Sequence, residues 1–577
     1  MHAFSFSRTT ARRLAAAAAL LLCAGCTVVT GVEGVSYRNA RNQGEALHRS
    51  AQPVPRALDR WQADKDTFVG VAISGGGSRS ANFGMAALAE LDALGLLEHV
   101  DAISAVSGGS IPTALFALDG DRPGWAERGR AKVGTDLLRP LIGRSLNPVN
   151  ALATTFTDRD RSDTMAEIFE DKLFDGRRVR FGELGERRPM RPAVYFNATD
   201  STDGGRRFVF TEESFVRLGS ELGAYPLAWA MAASAAFPGV FNSVTLRRHP
   251  LDASAPRGEA RYLHLIDGGV SDNLGVETLI EKARAQHIAA LRLGRQPRGC
   301  LMILIDSHVP STTVSESLQS DRRNVASMLI DLNFLDAIDG MLSNRRDDTL
   351  ARVGIRRADA TGLYDIEIQP GLVEQRVRPY RRVGEFEIGY LTADGFPFAT
   401  TDLSLEEGTL AFDAEQRIRP ARLSCQAWHV SLGDLQSIVP WRERGGRWER
   451  LSLEAPADRA VFAARARLAR LIEQVSTSHH LTGPPQCEAP VIQQALFDAA
   501  HIALRQDKES LDRVCAWFAE RGLATGGRCH AEPQPLGPDG PAMEPLRLPR
   551  SDDPIEQRAN RFMRCAVPGS PAAPPVP

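Results

Sequence analysis

Between about residues 68 and 308, short apolar runs alternate with longer stretches whose apolar residues recur at helical spacing. The runs Phe68–Ser74, Val100–Val106, Ala193–Asn197, Tyr262–Ile266 and Leu301–Ile305 predict strands. Strands that alternate with helices are the pattern of an α/β fold with a mostly parallel sheet. A helix is expected from about Ala81, with Leu88, Leu91 and Leu94 on one face and Gly95 placed to end it. Beyond about residue 310 the pattern is less regular. Asn324–Leu342, Arg459–Val475 and Pro490–Leu504 carry helical spacing, and the segment after Glu532 is a Pro-rich tail. The expected organisation is a leader over 1–25, a polar tether over 26–66, an α/β unit over 67–345 and a mixed, largely helical C-terminal region over 346–577. No internal repeat is present.

Composition narrows the class. The 577 residues are 43% hydrophobic and 24% charged, with a formal net charge of −2. That balance excludes a collagenous, disordered or multispan membrane chain, and it supplies no bulk positive charge for nucleic acid. At the N-terminus, Arg8, Arg12 and Arg13 precede the apolar run Leu14–Leu22, which is too short for a stable span. The run ends in Cys23-Ala24-Gly25-Cys26, which resembles the bacterial lipobox, with Cys23 where Leu is usual. That resemblance implies lipidation of Cys26 and an anchored protein at the envelope's outer membrane, facing the periplasm; an ordinary signal peptide cut nearby is the alternative. Removing residues 1–25 takes away three arginines and no acid. The remaining chain is net negative, so anchoring would come from acyl chains rather than from attraction to anionic lipid. Export also fits Cys300, Cys425, Cys487, Cys515, Cys529 and Cys565, an even set expected to form up to three disulfides. These bridges are expected to brace the C-terminal region, with Cys515–Cys529 or Cys529–Cys565 as local pairs. Past the leader, no C-x-x-C or Cys/His pair has a spacing that suits zinc.

Three motifs carry chemistry. Ser74-Gly75-Gly76-Gly77-Ser78-Arg79 follows a strand and precedes a helix. Consecutive glycines there allow positive φ and leave N–H groups open at the helix's positive end, a site suited to an anion. A phosphate and an acyl-transfer oxyanion both qualify, but the Gly-Lys-Ser/Thr and G-x-G-x-x-G phosphate patterns are absent. The second motif is Ala105-Val106-Ser107-Gly108-Gly109-Ser110, with Pro112 in the following helical turn. It has the spacing of a nucleophile elbow with Ser107 at its apex, Ala105 replacing the usual first glycine and Gly109 the last. Ser104 and Ser110 cannot occupy the apex. The third, Asp267-Gly268-Gly269, closes a strand and offers a base; by itself it is equally a turn.

Together the motifs resemble the patatin-like phospholipase family, in the family's order over about residues 68–308. Asn197-Ala198-Thr199-Asp200 and Ala233–Phe241 resemble the family as well. The resemblance implies a patatin-like three-layer fold and a serine acyl-ester hydrolase of phospholipase A or lysophospholipase type. It makes Ser107 the nucleophile and Asp267 its base, with Gly75, Gly76 and Gly77 lining the oxyanion hole. Arg79 takes the family's basic position, and Gly109 and Gly268 support the turns. No cofactor or metal is implied; the partners are an acyl-ester lipid and the membrane, not nucleic acid. An aspartate at its ordinary pKa of about 3.9 is a poor base, so the site is expected to be dry. Two alternatives stay open. One is a Ser–His–Asp esterase using His287, His308 or His429; the other is a non-catalytic envelope scaffold. The charged runs Asp158–Asp163 and Arg345–Asp348 are expected on solvated faces. His308, beside Asp306, is expected to be structural.

Overall fold

The computed structural model describes residues 66–145, 147, 159–187, 192–249, 262–292, 297–309, 332–355, 360–368, 377–380, 389–392, 397–398, 423–478, 480–481 and 489–532. The expected leader, tether, Cys26, Cys487, Cys565 and the Pro-rich tail lie outside them. No described helix is long and apolar enough to cross a membrane.

A central sheet organises the chain. Its strands are β1 (Phe68–Ile73), β2 (Ala102–Val106), β3 (Ala193–Asp200), β4 (Arg206–Val209), β5 (Val244–Arg247), β6 (Tyr262–Asp267), β7 (Cys300–Asp306) and β8 (Gly362–Ile368). After β9 (Val377–Tyr380), β10 (Gly389–Thr392) and β11 (Pro397–Phe398), which pair with one another, β12 (Leu423–Ser431) returns to it. The strand order is β5-β6-β3-β2-β1-β7-β12-β8, with β4 also on β3. The five central strands β3-β2-β1-β7-β12 are parallel, and β6, β4, β5 and β8 pair antiparallel around them. Every residue of β1, β2 and β7 is buried, as strands covered on both faces must be. β6 instead alternates half-buried and buried residues, the period-2 signature of a more peripheral strand. A hairpin of β13 (Trp441–Arg444) and β14 (Arg447–Arg450) turns at Gly445-Gly446, both at positive φ, as a type I′ turn requires.

The helices that concern the site are α1 (Gly77–Ala93), α2 (Ser110–Asp119), α3 (Leu138–Ser145), α4 (Arg161–Leu173), α5 (Leu227–Ser234), α6 (Gly269–Asp272), α7 (Val276–Arg292), α8 (Leu332–Arg352), α9 (Arg459–Glu473), α10 (Ala489–His501) and α11 (Lys508–Glu520). α1 begins four residues before the expected Ala81 because Gly76 and Gly77, at φ 140° and 56°, turn the chain directly into it. Gly95 ends it at φ 73°, its N–H on the Asp92 carbonyl. The stretch Leu137–Ile142 buries Leu137 and Leu141 and leaves Ile142 49% exposed.

Three sequence expectations change. The run Arg345–Asp348 is not simply solvated: Arg346 is fully buried and forks onto Asp306 at 2.6 and 2.7 Å. In Asp158–Asp163, Asp160 caps α4 and buried Asp163 accepts Trp229 Nε1–H at 2.9 Å. The disulfides divide between two tasks. Cys515–Cys529 is local to the C-terminal region, whereas Cys300–Cys425 joins β7 to β12 at directly paired positions of the central sheet.

The central sheet therefore takes β8 and β12 from beyond residue 345. The Cys300–Cys425 bridge joins residues 125 apart in sequence, and closing so long a loop takes conformational entropy away from the unfolded chain. Replacing both cysteines by Ala should lower unfolding free energy by about 2–4 kcal/mol, read as a fall in denaturant midpoint. An unchanged midpoint would show that β12 is held by its ladder alone.

Candidate active site

Parallel strands end on one edge of a sheet, and in open α/β folds that edge is where sites form. β1 and β2 are adjacent and parallel, so the glycine loop after β1 and the turn after β2 lie side by side. β3 follows in register, Val106 against Asn197, and β6 runs back so that Asp267 pairs with Ala198. This brings the end of β6 to the level of Ser107. The two side chains meet: Ser107 Oγ donates to Asp267 Oδ2 at 2.8 Å.

Ser107 sits at φ 51°, a left-handed conformation that among the described residues only Asp175 shares outside glycine. Such a backbone is strained for a side chain with a Cβ, by on the order of 1 kcal/mol, and must be held by its surroundings. Here the Ser107 N–H donates to Ser234 Oγ at 2.8 Å, and Ser234 Oγ donates in turn to the Asn197 carbonyl at 2.7 Å. The Ser107 carbonyl accepts from Ser110 Oγ. Ser104, the other nearby serine, faces Asn197 Nδ2 at 2.9 Å.

Close approach explains the glycines. A Cβ on Gly108 would stand 2.1 Å from the Gly77 carbonyl oxygen, and one on Gly109 would stand 2.7 Å from that of Ile73. The elbow and the glycine loop are thus in backbone-to-backbone contact. A Cβ on Gly268 would stand 2.2 Å from the Asn197 carbonyl oxygen, so Gly268 lets β6 and β3 close behind Asp267.

Asp267 is 3% exposed. Burial pushes its carboxyl up to about 6, against the pull of the Gly269 N–H on Oδ1 (2.8 Å) and the Ser107 hydroxyl on Oδ2. The dry environment expected from the sequence is present, and neither hydrogen bond is strong enough to undo it.

The glycine loop divides into different tasks. The Gly75 N–H donates to the Asn273 carbonyl at 2.9 Å, so Gly75 lines the site but has no N–H to offer an oxyanion. That corrects the equal treatment of three glycines. Gly76 and Gly77 make no such donation among the described residues and lie at the N-terminus of α1, beside Gly108 and next to the N-terminus of α2. Neither helix has an acidic residue in its first turn, so two positive helix ends converge on the Ser107 hydroxyl. Arg79 Nη1 donates to the Val475 carbonyl at 3.4 Å, and the Ser78 N–H donates to the Ser478 carbonyl at 2.9 Å. The C-terminal region thus reaches the loop directly.

None of the histidines considered for a triad is among the hydrogen-bond partners of Ser107 or Asp267. His429 Nε2 meets Asp306 Oδ2 at 3.0 Å and its Nδ1 meets the Ala360 carbonyl at 2.9 Å. His308 meets the same aspartate through its backbone N–H. His264 faces away from Asp267, with Nδ1 3.0 Å from Thr245 Oγ1. His287 follows Gln286, which binds the Thr67 carbonyl before β1, at the opposite edge of the sheet. Sequence reasoning gave no role to Ser234, Asn273, Ser307 or Val475–Ser478. Ser234 and Val475 lie within stretches quoted above, but nothing in their spacing marks the bonds to Ser107 and Arg79. No group of three metal-ligating side chains occurs among the described residues.

Residues 71–280 match the family model described as Patatin-like phospholipase. No curated protein matches the chain significantly. Among solved structures, human GIVD cytosolic phospholipase A2 in complex with methyl gamma-linolenyl fluorophosphonate inhibitor and terbium chloride is similar at TM-score 0.35 and 12% identity, over 84% of this chain and 65% of that one. Human GIVD cytosolic phospholipase A2 in another structure is similar at TM-score 0.34 and 10% identity, over 84% and 66%. The chain spans just under two thirds of the length of these two.

The raised carboxyl makes a stability prediction. A folded-state pKa above the unfolded value means that ionised Asp267 destabilises the fold, increasingly as pH rises from about 4 through about 6. Asp267→Asn should therefore be more stable than wild type at pH 8, by about 1–3 kcal/mol, with the gain shrinking as pH falls from about 6 and gone by about pH 4. A melting temperature at or below wild type at pH 8 would contradict it.

Proposed function

We propose that this protein is a lipid acyl hydrolase of phospholipase A or lysophospholipase type, working through a Ser107–Asp267 dyad. The observation that carries the reading is the 2.8 Å hydrogen bond from Ser107 Oγ to the buried Asp267 carboxylate, at the mouth of a glycine loop. Ser107 Oγ attacks the ester carbonyl carbon while Asp267 Oδ2 takes its proton. The carbonyl oxygen becomes an oxyanion, which the Gly76 and Gly77 N–H groups receive at the positive end of α1. As the intermediate collapses, Asp267 returns the proton to the departing lipid alcohol, leaving an acyl-serine. Water then attacks that ester, Asp267 takes its proton, and collapse returns a proton to Ser107 Oγ and frees the fatty acid.

Desolvation suits Asp267 to this task, since a base with a pKa nearer the working pH holds a proton more readily in the transition state. The histidine reading finds no support at the site, because the hydroxyl's partner is a carboxylate.

Ser107→Ala should fold normally, lose labelling by a fluorophosphonate and lose nearly all acyl-ester turnover on a panel of phospholipids and lysophospholipids. Labelling that persists on Ser104 or Ser110 would sink the assignment. Since Asp267 must be ionised to accept a proton, kcat/KM should fall as pH drops through about 6, with a one-proton slope. An acid limb that survives Asp267→Asn, or one set by a histidine variant, would return the triad to favour.

The same proposal places the protein at the envelope, held by lipid on Cys26, on the strength of Cys23-Ala24-Gly25-Cys26 after its basic and apolar run. Cys26→Ser should convert a membrane-fractionating protein into a soluble periplasmic one. Wild type that already fractionates as soluble would overturn the placement.

A further inference from the structure

The residue after β7 stands against the glycine loop. Ser307 is 1% exposed, and its Oγ donates to the Gly75 carbonyl at 2.6 Å. Its N–H donates to Ser74 Oγ at 2.9 Å, and the two hydroxyls lie 3.0 Å apart. Ser74 Oγ also reaches the Gly75 carbonyl, at 3.1 Å. One carbonyl is thus gripped by two buried hydroxyls.

The consequence follows from peptide geometry. No described peptide bond is cis, and in a trans peptide the C=O of one residue and the N–H of the next point in opposite directions. Fixing the Gly75 carbonyl therefore fixes the Gly76 N–H. The direction is set by strand order: β1 lies between β7 on one side and β2 on the other. Ser307, at the end of β7, pulls the carbonyl to its own side, which turns the Gly76 N–H toward the β2 side, where Ser107 stands. Gly76, at φ 140°, and Gly75 carry no side chain that would resist rotation of this peptide. Within the loop only Ser74 Oγ, at 3.1 Å, holds the orientation, and the shorter bond comes from the residue after the neighbouring strand.

We infer that Ser307 is a positioning residue for the hydrolysis, setting the Gly75–Gly76 peptide so that its N–H faces the oxyanion. The inference rests on the Ser107–Asp267 reading and adds to it a residue outside all three motifs and beyond residues 71–280. Without the Ser307 hydroxyl, only the longer bond from Ser74 Oγ holds the carbonyl, so the peptide is less firmly set and the Gly76 donor is lost for part of the time. The nucleophile, its base and the acyl-binding surface stay as they were.

The test is steady-state kinetics on one fluorogenic acyl ester, with Ser107→Ala run beside Ser307→Ala. Ser307→Ala should lower kcat by about 10- to 100-fold, short of the loss typical when an oxyanion donor is deleted outright. KM should stay within about threefold, because the lost interaction is made to the transition state. The acid limb near pH 6 should not move, since Asp267 is untouched. Ser307→Thr and Ser307→Val supply a near-isosteric pair that differs in the hydroxyl, so the comparison holds even if Ser307→Ala folds poorly. Thr should exceed Val by at least about tenfold in kcat. Equal kcat for Thr and Val, or wild-type kcat in Ser307→Ala while Ser107→Ala is inactive, would overturn the inference alone. Turnover surviving in Ser107→Ala would remove the dyad reading and the inference with it.

Discussion

The hydrogen bond between Ser107 and Asp267 sets the terms for the rest of the site. For a serine on a β2 turn to meet a carboxylate on β6, two strands away, every backbone between them must approach without side chains in the way. Gly108, Gly109 and Gly268 remove those side chains, and Ser107 accepts a left-handed φ to aim its hydroxyl. The meeting takes place in a dry environment, where a carboxylate is uncomfortable and an unpartnered N–H is costly. Ser234 answers the second cost by accepting the Ser107 N–H. The first remains, as the raised Asp267 carboxyl.

The C-terminal region belongs to the same physical unit. β12 lies parallel to β7 and is bound to it by Cys300–Cys425, and β8 covers β12. α1 in turn buries Glu90, which is held by His501 Nδ1 at 3.0 Å and Arg505 Nε at 2.7 Å. Burial alone would raise the Glu90 carboxyl, but His501 and Arg505 hold it below its ordinary value. The helix that presents the glycine loop is therefore anchored at its far end by the turn after α10, and at its near end by Val475 and Ser478 through Arg79 and Ser78. Removing the region would unpair a sheet edge and leave a buried acid without its cations.

What could be read from the sequence follows a physical division. β1, β2, β3, β6 and β7 were legible because burial on the sheet demands apolar runs, and glycine clusters mark places where backbones touch. β4 (Arg-Arg-Phe-Val) and β5 (Val-Thr-Leu-Arg) are short and half-exposed, so their sequences carry little strand signal. β12, with Gln426 and His429 among its residues, becomes buried through partners distant in sequence: Asp306, Asp365 and Ala360. The same holds for Arg346, whose charged neighbours suggested solvent. A partner brought by tertiary structure leaves no local pattern. Ser234, Asn273 and Ser307 were unreadable for that reason, each acting on a backbone group supplied from elsewhere in the chain.

Two buried aspartates end strands on the site's edge, and their surroundings send them in opposite directions. Burial would raise the carboxyl of each. At Asp306 the Arg346 guanidinium and the His429 ring outweigh burial and hold the group well below the carboxylate range. A carboxylate so stabilised accepts no proton at working pH, so Asp306 can brace β7 and β12 but cannot serve as a base. Asp267 has no cation among the influences on it, only an N–H and a hydroxyl, and its carboxyl rises to about 6. Supplying Asp267 with an arginine would stabilise the fold and lower its basicity together. The absence of such a cation from its hydrogen-bond partners is what separates the aspartate to which the proposed mechanism assigns proton transfer from the one that braces the sheet.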